Sequence, residues 1–85
     1  MASYRLLIKP SAVKELEALP VKDRRRLVMR LQKLTANPRP PGSEKLSGHE
    51  LYRIRQGNYR VLYSVHDQEL IILVIKVGHR RDVYR

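Results

Sequence analysis

A chain of 85 residues, 42% hydrophobic and 31% charged, supports one folded domain with a modest core and excludes a second domain or a disordered polymer. It has no cysteine, which excludes a disulfide framework and a thiolate metal site. Eighteen lysines and arginines against eight acids leave a net charge of +10, so the expected partner is a polyanion, either a nucleic acid or an acidic protein.

Residues 4–9 alternate Tyr4, Leu6 and Ile8 with Arg5, Leu7 and Lys9, the period-two pattern of a strand with one buried face. Pro10 and Ser11 interrupt it. Ser11 is placed to cap a helix in which Ala12 or Val13, Leu16 and Leu19 recur every three to four residues up to Pro20. Residues 21–36 carry Leu27, Leu31 and Leu34 along one stripe with Val28 beside them, which predicts a second amphipathic helix on the same sheet. The outer side of that helix holds Lys22, Arg24, Arg25, Arg26, Arg30 and Lys33 against Asp23 alone. Residues 37–44 include Pro38, Pro40, Pro41 and Gly42 and are expected as a loop.

Strand periodicity returns at residues 51–56, 59–66 and 69–77, joined at Gly57-Asn58 and Asp67-Gln68, both compatible with two-residue hairpins. The last of these strands is apolar at consecutive positions 70–75, which places it inside the sheet with the first strand beside it. The order β-α-α-β-β-β predicts a single α+β domain over residues 1–85. Its sheet would be four-stranded and mainly antiparallel, with a helical hairpin packed on one face. The longest apolar run is too short to cross a bilayer and no leader pattern is present, so a soluble, cytoplasmic protein without a membrane partner is expected.

With Gly57 and Asn58 as turn residues, Arg55 faces Arg60, Ile54 faces Val61, Arg53 faces Leu62 and Tyr52 faces Tyr63. Tyr52, Ile54, Val61 and Tyr63 then pack on the helices. Arg53, Arg55 and Arg60 converge on the opposite, open face with no acid near them. Like charges across a strand pair repel, so the cluster makes sense where an anion sits between them, and guanidinium matches phosphate oxygens. The alternative is a set of merely solvated arginines. Leu62 and Leu73 share this face, which suggests that a partner or the C-terminal segment covers part of it.

Gly78 is expected to release the chain from the sheet, and His79, Arg80, Arg81 and Tyr84 follow within seven residues. RNA is cut without metal when a base takes the proton of a ribose 2′-hydroxyl, a cation neutralises the phosphorus oxygens and an acid protonates the leaving oxygen. These residue types can fill those roles; a basic aromatic tail is equally an ordinary nucleic-acid anchor. His49 and His66 lack spaced partner ligands, so no metal site and no small-molecule cofactor are expected. Glu44 and Glu50 read as solvated charges or local partners of Lys45.

Lys45-Leu46-Ser47-Gly48, Leu51-Tyr52-Arg53-Ile54, Tyr59-Arg60-Val61-Leu62-Tyr63 and Gly78-His79-Arg80-Arg81-Asp82-Val83-Tyr84 occur here in that order. Together with the element order they resemble the RelE branch of the RelE/ParE toxin superfamily across nearly the whole chain. The resemblance implies a toxin that cuts translated mRNA in the ribosomal A site and is silenced by an acidic, RelB-like antitoxin. It implies phosphate binding and transition-state stabilisation by Arg60 and Arg80, and an acid or stacking role for Tyr84. Arg53 and Arg55 stand where the RelE pattern has lysines, so with Arg81 they are assigned to phosphate binding, since arginine is a poor base. The base role then moves to His79, whose imidazole is suited to proton transfer near neutral pH. Two other functions fit the fold: a ParE-like toxin that binds DNA gyrase without catalysis, and a catalytically silent basic RNA-binding module.

Overall fold

The computed structural model describes residues 3–46 and 50–79. Strand β1 (Arg5–Ile8) leads into helix α1 (Pro10–Glu17) and helix α2 (Val21–Leu34). Strands β2 (Glu44–Leu46), β3 (Leu51–Gln56), β4 (Tyr59–His66) and β5 (Ile71–His79) follow. They form one sheet in the order β1-β5-β4-β3-β2, with β1 parallel to β5 and the remaining pairs antiparallel. The α+β class, the two helices on one face and the interior position of β5 all agree with the sequence.

The sheet has five strands rather than four. Gly42, at φ +92°, turns the chain out of the proline segment, and Glu44–Leu46 then pairs with β3 as an edge strand. Three residues are too few to display an alternating pattern. Helix α1 also starts earlier than expected: Lys9 is its N-cap and Pro10 its first residue, so Ser11 lies inside the helix and caps nothing. Proline suits that first position because its N–H would have no helical partner.

The core joins Ala12 and Leu16 of α1 and Leu27, Leu31 and Leu34 of α2 to Tyr52, Ile54, Val61, Tyr63, Val65, Ile72, Val74 and Val77 of the sheet. Tyr63 is fully buried, donates its hydroxyl to the Pro38 carbonyl at 2.7 Å and stacks on Tyr52 at 5.8 Å. Its burial pushes the phenol up to about 12.

The β3–β4 register matches the sequence reading at every pair from Gln56↔Tyr59 to Tyr52↔Tyr63. Gly57 has φ +60°, at the position where a type II′ turn places glycine. The β4–β5 connection differs. It spans residues 67–70 instead of two, because His66 pairs with Ile71, and Leu70 takes a left-handed φ of 57° to close it. A shift of two residues keeps each side chain on its face, so the core is the same for either turn length. A bulge at Ile75, where the register passes from Tyr63↔Val74 to Leu62↔Lys76, does exchange the faces. Ile72 and Val74 point into the core before it, and Val77 does so after it.

Beyond Val74 the outer edge of β5 has no strand beside it among the described residues. Glu15 of α1 fills that gap: its Oε1 accepts the Val77 N–H at 2.9 Å and its Oε2 accepts Lys76 Nζ at 3.0 Å. Among the described residues no helix is long and apolar enough to cross a membrane.

Candidate functional site

Strand alternation puts Arg53 and Arg55 of β3 and Arg60 of β4 on the sheet face away from the helices, as the sequence predicts. Two rows of side chains run across the strands there. Arg55, Arg60 and Gly78 form one, and Glu44, Arg53, Leu62 and Lys76 form the next.

This face differs from the expected one in two respects. Arg53 is not open to solvent; it is 9% exposed, packed between β2 and β4. The cluster also has an acid. Arg53 Nη2 donates to Glu44 Oε1 at 2.9 Å, and Lys45 pairs instead with Glu50 at 3.9 Å. The Arg53 hydrogen bond and charge, aided by Arg55 and Arg60, hold the Glu44 carboxyl below its usual range. Glu44 is invisible as a site residue in the sequence because β2 is invisible there as a strand. Only the pairing Glu44↔Arg53 brings them together.

Among the described residues, three guanidiniums gathered around the Glu44 carboxylate leave this part of the face cationic. Arg55 is exposed, and Arg60 is partly buried with its Nε fully covered and, among the described residues, without an acceptor. A buried donor left unpaired costs on the order of 1–3 kcal/mol, so an acceptor placed against this Nε would be favoured. A phosphate oxygen has the charge and geometry for it.

The other end of the same face is apolar. Leu7 (40% exposed), Ile71 and Leu73 line a shallow depression of about 320 Å³ with His66 and Glu69. Leu62 lies between this patch and the arginines, so the partly apolar face read from the sequence is present.

The C-terminal half of the predicted site is placed only up to His79. Gly78 does not release the chain; β5 continues through Gly78, opposite Arg60, to His79, opposite Tyr59. The Ile75 bulge accounts for the outcome at His79. By register it shares Tyr59's face, and the two rings meet edge-on at 6.2 Å, while the Tyr59 hydroxyl donates to Asp23 of α2 at 3.1 Å. That contact with the Asp23 carboxylate raises the Tyr59 phenol above its ordinary value. Strand pairing thus brings together Arg53, Arg55 and Arg60 but sets His79 on the helical side. Arg80, Arg81 and Tyr84 lie outside the described residues. Among the described residues there is no group of three or more histidines, aspartates or glutamates able to hold a metal ion.

Comparison with known proteins agrees with this architecture. Residues 6–84 match the model of the ParE toxin of the parDE type II toxin-antitoxin system. A RelE-like toxin protein of Escherichia coli is 32% identical over 85 residues, covering 95% of this chain and 90% of its own. The archaeal RelE-RelB complex from Pyrococcus horikoshii superposes with a TM-score of 0.85 at 34% identity, covering 95% of this chain and 99% of that one. The intact RelBE toxin-antitoxin complex of E. coli gives a TM-score of 0.82 at 28% identity, with 91% and 96% coverage. With the fold, the arginine-bearing sheet face and these likenesses agreeing, the chain belongs to the ParE toxin family of type II toxin-antitoxin systems and is a RelE-type toxin within it.

Proposed function

We propose that this toxin is a ribosome-dependent endoribonuclease that cleaves translated mRNA in the A site without a metal. The observation that supports it most directly is the sheet face on which Arg53, Arg55 and Arg60 gather, with a buried Arg60 donor that lacks an acceptor among the described residues. In this reading Arg60 and Arg80 hold the scissile phosphate and neutralise its transition-state charge, and Arg53, Arg55 and Arg81 bind flanking phosphates. The 2′-oxygen forms a bond to phosphorus as the bond to the 5′-oxygen breaks. The 2′ proton leaves to a base, and Tyr84 protonates the 5′-oxygen. His79 is the proposed base. Its place beside Tyr59 means it must reach the phosphate around the end of β5, and among the described residues Glu44 is a second group near the cluster with a lone pair for that proton.

The toxin's proposed partner is an acidic antitoxin segment, in line with the RelB chains named in the solved complexes. The apolar end of the open face offers an amphipathic segment its anchors, and the neighbouring arginines offer it counter-charges. A ParE-like gyrase-binding toxin is the second reading, supported by the family description matched over residues 6–84.

Arg60→Ala and Arg80→Ala, expressed beside the unaltered toxin, separate the two. Primer extension on a translated mRNA is expected to show codon-positioned cuts with the unaltered chain, and both cuts and growth arrest should disappear in the variants. Arrest without any cuts would remove the nuclease reading and leave gyrase as the target to assay.

A further inference from the structure

The outer side of α2 holds a block of charge that the arginine face does not account for. Among the described residues Lys22, Arg25, Arg26, Arg30 and Lys33 have no ion pair, whereas Arg39 has two and Lys45, Arg53 and Lys76 have one or more each. Asp23, the acid on this helix, accepts from Tyr59, and Arg24 turns back to the Glu17 carbonyl. Arg26, Arg30 and Lys33, with Met29 and Gln56, line a shallow groove of about 190 Å³ between α2 and the tip of the β3–β4 hairpin. The three cations stand at i, i+4 and i+7, so they share one side of the helix and span roughly 10 Å along it. Like charges at that spacing oppose helix formation, and no ion pair among the described residues offsets them.

The groove and the arginine face are separated by the hairpin alone. Gln56 is the next residue after Arg55 and points to the helical side, where it pairs with Tyr59 beside Arg60. A neutral amide in a cationic groove can donate to a phosphate oxygen or accept from a ribose 2′-hydroxyl. The groove contains no aromatic ring on which an unpaired base could stack, so its chemistry suits the outside of a double helix better than a single strand. It also lacks the apolar anchors that an amphipathic protein segment needs. Met29 is its single hydrophobic residue, whereas the opposite sheet face presents Leu7, Ile71 and Leu73 together.

We propose that this groove binds the phosphate backbone of double-helical RNA, as a second RNA-contacting surface set back to back with the arginine face. The proposal rests on the reading of the toxin as a protein that acts on RNA. It gives the molecule two grips: α2 holds a folded RNA while the strand to be acted on lies across the sheet.

The test uses the full chain with a short mixed-sequence RNA duplex and a single strand of equal length, titrated over a range of salt. The combined variant Arg26→Gln, Arg30→Gln, Lys33→Gln is expected to bind the duplex at least about tenfold more weakly near physiological salt. Its log-affinity against log-salt slope should be shallower by about three, one for each cation that no longer neutralises a phosphate. Binding of the single strand should change less, and Arg60→Ala should show the reverse preference. Duplex affinity and slope that stay unchanged overturn the proposal. So does a variant that keeps the duplex and loses an acidic antitoxin peptide, which would make the groove a protein-docking surface. If the triple variant does not fold, Arg26→Gln with Lys33→Gln, both at exposed positions, should still lower the slope by about two. A toxin that never cuts RNA yet loses duplex binding on neutralisation refutes the nuclease reading alone.

Discussion

The arginines of this chain are distinguished by what surrounds them, and Arg39 shows how far the roles diverge. It donates to the Tyr52 hydroxyl at 2.7 Å and to Asp67 at 2.7 Å, pairs with Glu50 at 3.2 Å and lies over the Tyr52 ring. Tyr4 donates to the same Asp67 carboxylate. The cluster ties the segment after α2 to the β4–β5 turn and to the residue before β1. The Arg39 and Tyr4 hydrogen bonds lower the Asp67 carboxyl from 3.8 to about 2. Because its folded pKa lies below its unfolded one, Asp67 stabilises the fold above about pH 4, and that contribution fades as the pH falls towards 2. Asp67→Asn is therefore expected to be less stable than the unaltered chain at pH 7, with the gap closing between about pH 4 and 2. Urea unfolding across that range measures it, and a gap independent of pH would refute this origin. Arg60 is the contrasting case: its covered Nε has no such partner among the described residues, which agrees with the phosphate-binding role proposed for it. Sequence can group Arg53, Arg55 and Arg60 by alternation, but it cannot rank them, because ranking depends on Glu44 and on how deeply each is packed.

At the scale of elements, the β3–β4 hairpin is legible because a two-residue turn with glycine fixes the pairing, and the pairing fixes the faces. Gly57 has a left-handed φ, and a Cβ added there would meet nothing within 4 Å. The cost of Gly57→Ala is thus backbone strain alone, about 1 kcal/mol, which should lower the melting temperature by roughly 4–8 °C in a domain of this size. Gly57→Asn should cost less, since asparagine tolerates this region. A melting curve for Gly57→Ala unchanged from the parent would show that the turn does not pin the hairpin. Three features are not legible, each for its own reason. Strand β2 is too short for a period. The residue 67–70 turn is closed by Leu70 at positive φ, which a leucine does not advertise. The Ile75 bulge leaves no compositional trace in a strand apolar on consecutive positions, yet it decides which face carries Gly78 and His79. Unbroken alternation along the strand would put His79 with the arginines, and the bulge moves it beside Tyr59.

Over the whole molecule, the distribution of charge matters more than its total. Glu15, Glu44, Glu50 and Asp67 are each engaged by a neighbouring cation, and Asp23 by Tyr59. Among the described residues, the unpaired positive charge therefore gathers on two sides of a thin sheet, the open face and the outside of α2. An antitoxin that silences the toxin by covering the proposed phosphate site must occupy the open face, and charge alone would let it slide between the two cationic surfaces. The apolar end supplies the discrimination, because Leu7, Ile71 and Leu73 lie together on one side only. Leu7→Asp with Leu73→Asp places acid where an acidic, amphipathic segment would bury its anchors. Both residues are at least partly exposed, so the fold should tolerate the change. Affinity for such a peptide, followed by isothermal titration and by dissociation kinetics, is expected to fall at least about tenfold, mostly through faster release. Neutralising Arg26, Arg30 and Lys33 should leave that affinity within about twofold, since rim-type charges far from the anchors act mainly on the rate of encounter. If instead the leucine variant binds as the parent does and the α2 variant does not, the antitoxin lies on the helices, and the open face must be silenced from a distance.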